Sequence, residues 1–289
     1  MRNKLVALLA VLAACLSAVQ AHAANLLVNG GFETTSFFYL DGNGDPVYPG
    51  TSWGPYFPDQ TVQGWDNAGY NFIFTPDLSA SASGSPTTPA YLQLWGMPGT
   101  GVNNGITASP VGGNFVAADG AFLNAPLSQT VTGLTVGQQY AVSFWWAAGQ
   151  QYGINFNGTT ASGWNICFGT CAYTTSYDAN GDGYATFTGV DSQIVGTGMV
   201  AVPEHGFVPW RYEYLTFTAT SSTQTLSLLA YGTPLGQPPF ALIDGIGLHA
   251  VPEPTTWAMM LVGFGLIGGV MRGRRQSPLR QNPANAQLI

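Results

Sequence analysis

The chain has 289 residues, only 7% of them charged, and a formal net charge of −7. Between Ala24 and Ala250 the single cation is Arg211, set against thirteen Asp and Glu, which excludes nucleic acid and anionic lipid headgroups as partners of this region. Such a segment suits an exported domain that binds neutral ligands or cations. At the N-terminus, Arg2 and Lys4 precede an apolar run from Leu5 to Val19 and the small-x-small triplet Ala21-His22-Ala23. This pattern predicts a secretory signal peptide over 1–23, cleaved after Ala23. Leu12-Ala13-Ala14-Cys15 offers an alternative, since it resembles a bacterial lipobox whose cysteine would be lipidated.

The next 227 residues, 24–250, are rich in Gly and Pro, with short apolar runs between turn clusters such as SASGSPTTP and TPLGQPP. Period-two alternation predicts strands. QYAVSFWWAAG puts Tyr140, Val142, Phe144 and Trp146 on one face and Ala141, Ser143, Trp145 and Ala147 on the other. RYEYLTFTA sets Glu213, Leu215 and Phe217 opposite Tyr212, Tyr214 and Thr216. The expected fold class is all-β, in one domain over 24–250. The order of NLLVNGGFE, LSQTVTGLTVGQQYAVSFWWAAG, WRYEYLTFTATSSTQTLSLLAYG and PPFALIDGIGLHA resembles the galactose-binding-like β-jelly roll, a β-sandwich found in many carbohydrate-binding modules. Residues 34–115 fit that pattern poorly and are expected to form rim loops and short strands.

Two calcium positions are expected. In DANGDGY, Asp178, Asn180 and Asp182 alternate as oxygen donors before the bend at Gly183, an arrangement that suits a hard cation. Gly189 stands where an EF-hand would carry its twelfth-position acid, so a metal-free Asx/Gly hairpin loop is the alternative. DGNGDP, with Asp41, Asn43 and Asp45, is a weaker copy and reads as a turn. The second position is implied by the jelly-roll resemblance. There the acid of the opening Gly-Phe-Glu, Glu33, and an acid of the last strand, Asp244, would hold a structural ion. Asp244 is expected on one strand face with Leu242 and Ile246, and a buried carboxylate needs a partner. Arg211 paired with an acid is the competing account.

Cys167 and Cys171 flank a short Gly turn, and export favours a disulfide between them. No His-Glu-x-x-His or phosphate loop is present, so the reading is non-enzymatic, with a glycoside hydrolase built on paired acids as the alternative. Trp53, Tyr56, Trp65, Tyr70, Trp95, Tyr152, Trp164 and Tyr177 sit among glycines and polar residues. Flat rings beside hydrogen-bonding groups suit sugar C–H faces, and Trp145, on an otherwise small strand face, is expected in a shallow groove. The alternative is that most of these rings fill the core.

After Val251 come Pro252-Glu253-Pro254, then Trp257-Ala258, an uncharged segment to Met271 containing Gly263, Gly265, Gly268 and Gly269, and Arg272, Arg274 and Arg275. The segment is shorter than the roughly 20 apolar residues of a full span, and the arginines after it predict a cytoplasmic end, residues 276–289. These two dozen residues resemble the PEP-CTERM sorting signal of Gram-negative bacteria. The resemblance implies recognition of Pro252, Glu253 and Pro254 by an exosortase, with a transmembrane helix holding the protein in the inner membrane until processing. It further implies an extracellular-matrix or cell-surface destination, in an exopolysaccharide or biofilm setting, with polysaccharide as the partner of the jelly roll.

Overall fold

The structure is a computed structural model that describes residues 24–35, 39–40, 46–47, 52–53, 61–78, 81–82, 91–153, 156–177, 179, 183–189, 193–252 and 254–273. The signal segment with Cys15, the DGNGDP turn, Tyr56, the Asp178/Asn180/Asp182 set, Asp191, Glu253, Arg274, Arg275 and the 276–289 tail lie outside the described residues. So do the side chains of Trp53 and Trp257.

The strands follow the alternation of the sequence. The first seven are short: β1 (Tyr39–Leu40), β2 (Pro46–Val47), β3 (Ser52–Trp53), β4 (Asp66–Asn67), β5 (Asn71–Phe74), β6 (Ser81–Ala82) and β7 (Tyr91–Leu92). Next come β8 (Phe115–Asp119), β9 (Leu127–Thr132), β10 (Gln139–Gln150), β11 (Thr160–Gly169), β12 (Tyr173–Tyr177) and β13 (Gly183–Phe187). The last are β14 (Gln193–Gly196), β15 (Val200–Val202), β16 (Val208–Thr218), β17 (Thr223–Thr233) and β18 (Pro239–Ala250). One sheet has the order β16-β10-β18-β8-β5-β3 and the other β14-β11-β17-β9-β4, with β15 also on β11. Every pairing in both is antiparallel. The fold is thus the all-β jelly-roll sandwich.

The two sheets close on one core, in which Val142, Phe144, Trp146, Ile243 and Leu248 of the first meet Trp164, Ile166, Leu226 and Leu228 of the second. A second core lies on the far side of the first sheet. There Phe115, Ala117, Ala147, Phe240 and Leu242 are covered by Leu92 of β7 and by Leu94 and Met97 of the loop that continues from it. Strand β8 is therefore buried on both faces, which explains its uninterrupted apolar run. The opening segment is stitched across both sheets. Leu26 N–H donates to Leu248 O at 2.9 Å, and the Gln129 amide brackets Val28, accepting from its N–H at 2.7 Å and donating to its carbonyl at 2.9 Å. Among the described residues every buried member of both cores falls within 27–248, so residues 24–250 carry a core of their own.

The chain divides into two compact units, Met1–Ala250 and Val251–Ile289. The second contains α1 (Pro254–Gly273), which starts on a proline suited to the first helical position and has Arg272 in its last turn. Among the described residues no helix is long and apolar enough to cross a membrane. The four internal glycines of α1 add little apolar surface to it.

Candidate functional site

The second core covers only part of the outer face of the first sheet, and where it stops, a groove opens. Its volume is about 380 Å³ and its lining includes Ser143, Trp145, Tyr212, Gly245, Gly247 and His249. Trp145 and Tyr212 are cross-strand partners on β10 and β16, so their side chains share this face. Their ring centroids are 5.5 Å apart in an edge-on arrangement, with Tyr212 55% exposed. The floor between them and the domain's N-terminal segment is glycine and serine, which leaves the ring faces accessible. Ala141 and Ala147, expected to floor the groove, are buried at 3% and 0%, and Ala147 belongs to the second core.

Beneath Trp145 lies a charged feature. Asp244 is the direct cross-strand partner of Trp145 on β18 and is fully buried. Its expected place on one face with both Leu242 and Ile246 needs correction. The register shifts opposite Ser143–Trp145, Gly245 takes a positive φ of 62°, and the bulge sends Ile246 to the inner core while Leu242 stays in the outer one. Asp244 Oδ1 accepts the Gly245 N–H at 2.6 Å, while Oδ2 is buried and has no hydrogen-bond partner among the described residues. Burial pushes its pKa up to about 7, against the lowering effect of hydrogen bonds from the Ser109 side chain and the Gly245 N–H, with the Glu33 charge raising it further.

The Gly-Phe-Glu turn delivers Glu33 to the same place. Phe32 has a positive φ of 59° and packs, tilted, against Trp65 at 5.4 Å between ring centroids; the Trp65 Nε1 donates to Asn29 O at 3.0 Å. Both Glu33 oxygens accept the Asn114 N–H at 3.1 Å. A methyl group on Gly31 would lie 3.5 Å from Glu33 Oε1 and 3.7 Å from Asp244 Oδ1, so both carboxylates flank this glycine. A side chain at Gly113 would overlap the Glu33 carboxylate. Two acids and an orphaned buried oxygen fit a hard cation. Among the described residues no cluster of three or more His, Cys, Asp or Glu forms, so any further ligands would be backbone or neutral side-chain oxygens or water. Arg211 does not neutralise Asp244. Its guanidinium carbon sits 4.8 Å from the centroid of the Trp146 ring.

The remaining sites separate. Trp65 (5% exposed) and Trp164 (0%) are core rings, a correction for Trp65, expected in the sugar site, while Trp164 follows the core-filling alternative. Trp164 Nε1 donates to Leu242 O at 3.2 Å. Trp95 stacks on His205 at 3.7 Å and meets Tyr152 edge-on at 4.7 Å, away from the groove lining. Tyr70 lines a different cavity of about 260 Å³ with Phe122, Phe156, Gln151 and Pro238, where the Asp119 carboxylate is engaged by the N–H groups of Ala121 and Phe122. Trp53 sits on β3, at the opposite edge of the sheet from β16. Tyr177 is exposed on β12. Cys167 and Cys171 form the expected disulfide. Tyr212, Val111 and Ser109 were not singled out in the sequence. Of these only Tyr212 carried a signal, its place opposite the Glu213/Leu215/Phe217 face.

Residues 250–275 match the family model described as the PEP-CTERM protein-sorting motif. No curated protein matches the chain. Among solved structures it is similar to TmCBM61 in complex with beta-1,4-galactotriose, at 15% identity and TM-score 0.35, covering 79% of this chain and 100% of that one. It is also similar to the CBM22-1 xylan-binding domain of Paenibacillus barcinonensis Xyn10C, at 14% identity and TM-score 0.29, covering 81% and 99%.

Proposed function

We propose that this chain is an exported polysaccharide-binding protein, delivered by its C-terminal sorting motif and binding glycan in the groove between Trp145 and Tyr212. The observation that carries the reading is the pairing of two accessible rings over a glycine and serine floor, on a part of the outer sheet face that the second core leaves open. Sugar C–H faces pack on such rings while Ser143 and His249 offer polar contacts at the wall. Asp244 lies too deep to touch a ligand in the groove, which favours binding over glycoside hydrolysis.

Calcium is the cation proposed for Glu33 and Asp244. When bound it supplies positive charge between the two carboxylates. The chain's own part is to hold the Gly-Phe-Glu turn, Gly31 and Gly245 in place, and these glycines line the groove. The sorting motif supports exosortase processing near Pro252, with α1 as a transient inner-membrane anchor, and release to the surface or matrix in an exopolysaccharide setting.

The test is a glycan array with the 24–250 domain, in calcium and in chelator, including exopolysaccharide from the producing organism. Saturable binding that disappears in Trp145→Ala is expected. Silence from folded protein across neutral and acidic glycans would replace this reading with a purely structural matrix role.

A further inference from the structure

We propose that the β16 edge pairs with the β16 edge of a second copy of this chain, extending the first sheet into one continuous sheet across a two-fold axis. The two sheets have four ends. Three of them are short: β3 and β4 have two residues each and β14 has four. The fourth, β16, has eleven and, among the described residues, ends its sheet uncovered by another strand.

Hydrogen bonds at the end of β16 fix which backbone groups face outward. Ala219 turns inward, its N–H donating to Gln138 O at 2.9 Å and its carbonyl accepting from Gly137 N–H at 2.8 Å. Thr218 therefore points away from β10, and the Gln193 side chain occupies both its groups, donating to the carbonyl at 2.5 Å and accepting from the N–H at 2.8 Å. Alternation then turns the N–H and C=O of Thr216, Tyr214 and Tyr212 outward as well. Among the described residues none of these has a hydrogen-bond partner. Tyr212 and Tyr214 are more than half exposed. Such a row is a template for another strand. Pro209 falls at the bulge, where the β10 register shifts near Ala148, and lies outside the 212–216 row.

Charge selects the occupant and the register. Antiparallel pairing with Tyr212 facing Tyr212 of the second copy sets Arg211 across from Glu213, and Glu213 across from Arg211. Arg211 is the only cation between Ala24 and Ala250, and it is two residues from an acid on the same strand face. Centring the axis on Glu213 would instead oppose two carboxylates. In the favoured arrangement the two Trp145 grooves lie on one outer sheet surface, side by side across the axis. The pairing does not depend on what the grooves bind.

Sedimentation of the 24–250 domain from low to high micromolar concentration tests this, with near-UV circular dichroism reporting the fold. The wild type is expected to show a monomer–dimer equilibrium weakened by salt. Tyr214→Pro removes an outward N–H without breaking the β10 ladder, so the variant should stay folded and sediment as a monomer. Arg211→Glu and Glu213→Arg should each weaken the dimer about tenfold or more, since each change acts twice across the axis. The double variant should restore it. A wild type that is monomeric throughout, a folded Tyr214→Pro dimer, or a double variant no better than the singles would overturn the proposal.

Discussion

Asp244→Asn separates the cost of a buried charge from the value of a cation beside it. The Asp244 carboxyl is pushed from 3.8 to about 7 in the fold, burial being the main cause. Below about pH 4 both folded and unfolded chains hold the proton and the site is neutral to stability. As pH rises toward 7 the unfolded chain has released a proton that the folded chain still holds, so stability falls by about 1.4 kcal/mol per pH unit. The loss is complete near pH 7 and totals about 4 kcal/mol. For a domain of this size that corresponds to roughly ten degrees in Tm. Calcium binds the deprotonated form, and at a hundredfold excess over its Kd it would restore about 2.7 kcal/mol above pH 7. Asparagine keeps the acceptor for the Gly245 N–H and has no proton to lose. Thermal melts of wild type and Asp244→Asn, in chelator and in calcium from pH 4 to 8, read out both effects. The metal-free wild type should lose stability relative to the variant as pH rises, and only the wild type should gain from calcium above pH 7. A difference between the two that is flat with pH, or an equal calcium response in both, would refute the reasoning.

Trp145→Ala should remove glycan binding with little change in Tm, because the ring stands at the open groove; titration calorimetry beside a melt separates the two effects. Tyr212→Ala should weaken binding about thirtyfold, the loss of about 2 kcal/mol typical of a well-placed aromatic contact. Trp164→Ala serves as the contrast: its ring is fully buried and bonded to Leu242 O, so denaturant unfolding should show a loss of about 3–5 kcal/mol. Reducing Cys167–Cys171 opens a loop of sequence separation 4 and should lower stability by only about 2 kcal/mol, read by denaturant midpoint with and without reductant. Alanine at Pro252, Glu253 and Pro254 together should leave the C-terminus uncut in the producing cell, which intact mass of the mature protein would show.

Much of the fold was legible because strand alternation is local. The two faces of 140–147 could be read directly, and Tyr140, Val142, Phe144 and Trp146 are the ones that enter the inner core. The outer face was harder. Ala147 and Trp145 look equivalent on one face, yet one is sealed and the other open. What decides between them is the segment carrying Leu92, Leu94 and Met97, which no alternation pattern places. Ile246 was misplaced for a related reason. A period-two reading carries the same face from Leu242 through Ile246, and the extra residue at Gly245 breaks that count. Trp65 and Trp164 looked like surface rings because glycine and polar neighbours surround them in sequence. Their burial comes from residues distant in the chain, such as Phe32 against Trp65.

The sequence by itself determined the strands, the disulfide, the sorting motif and the acidic surface, since each depends on spacing or composition within a short window. It also pointed to Glu33 and Asp244, though only through resemblance. The tertiary structure decided which aromatic rings face solvent, where the second core stops, and that the two acids lie under the same groove as Trp145. Those are properties of which strands become neighbours and which loops cover them. They follow from contacts between residues up to 223 positions apart, and local pattern carries no record of them.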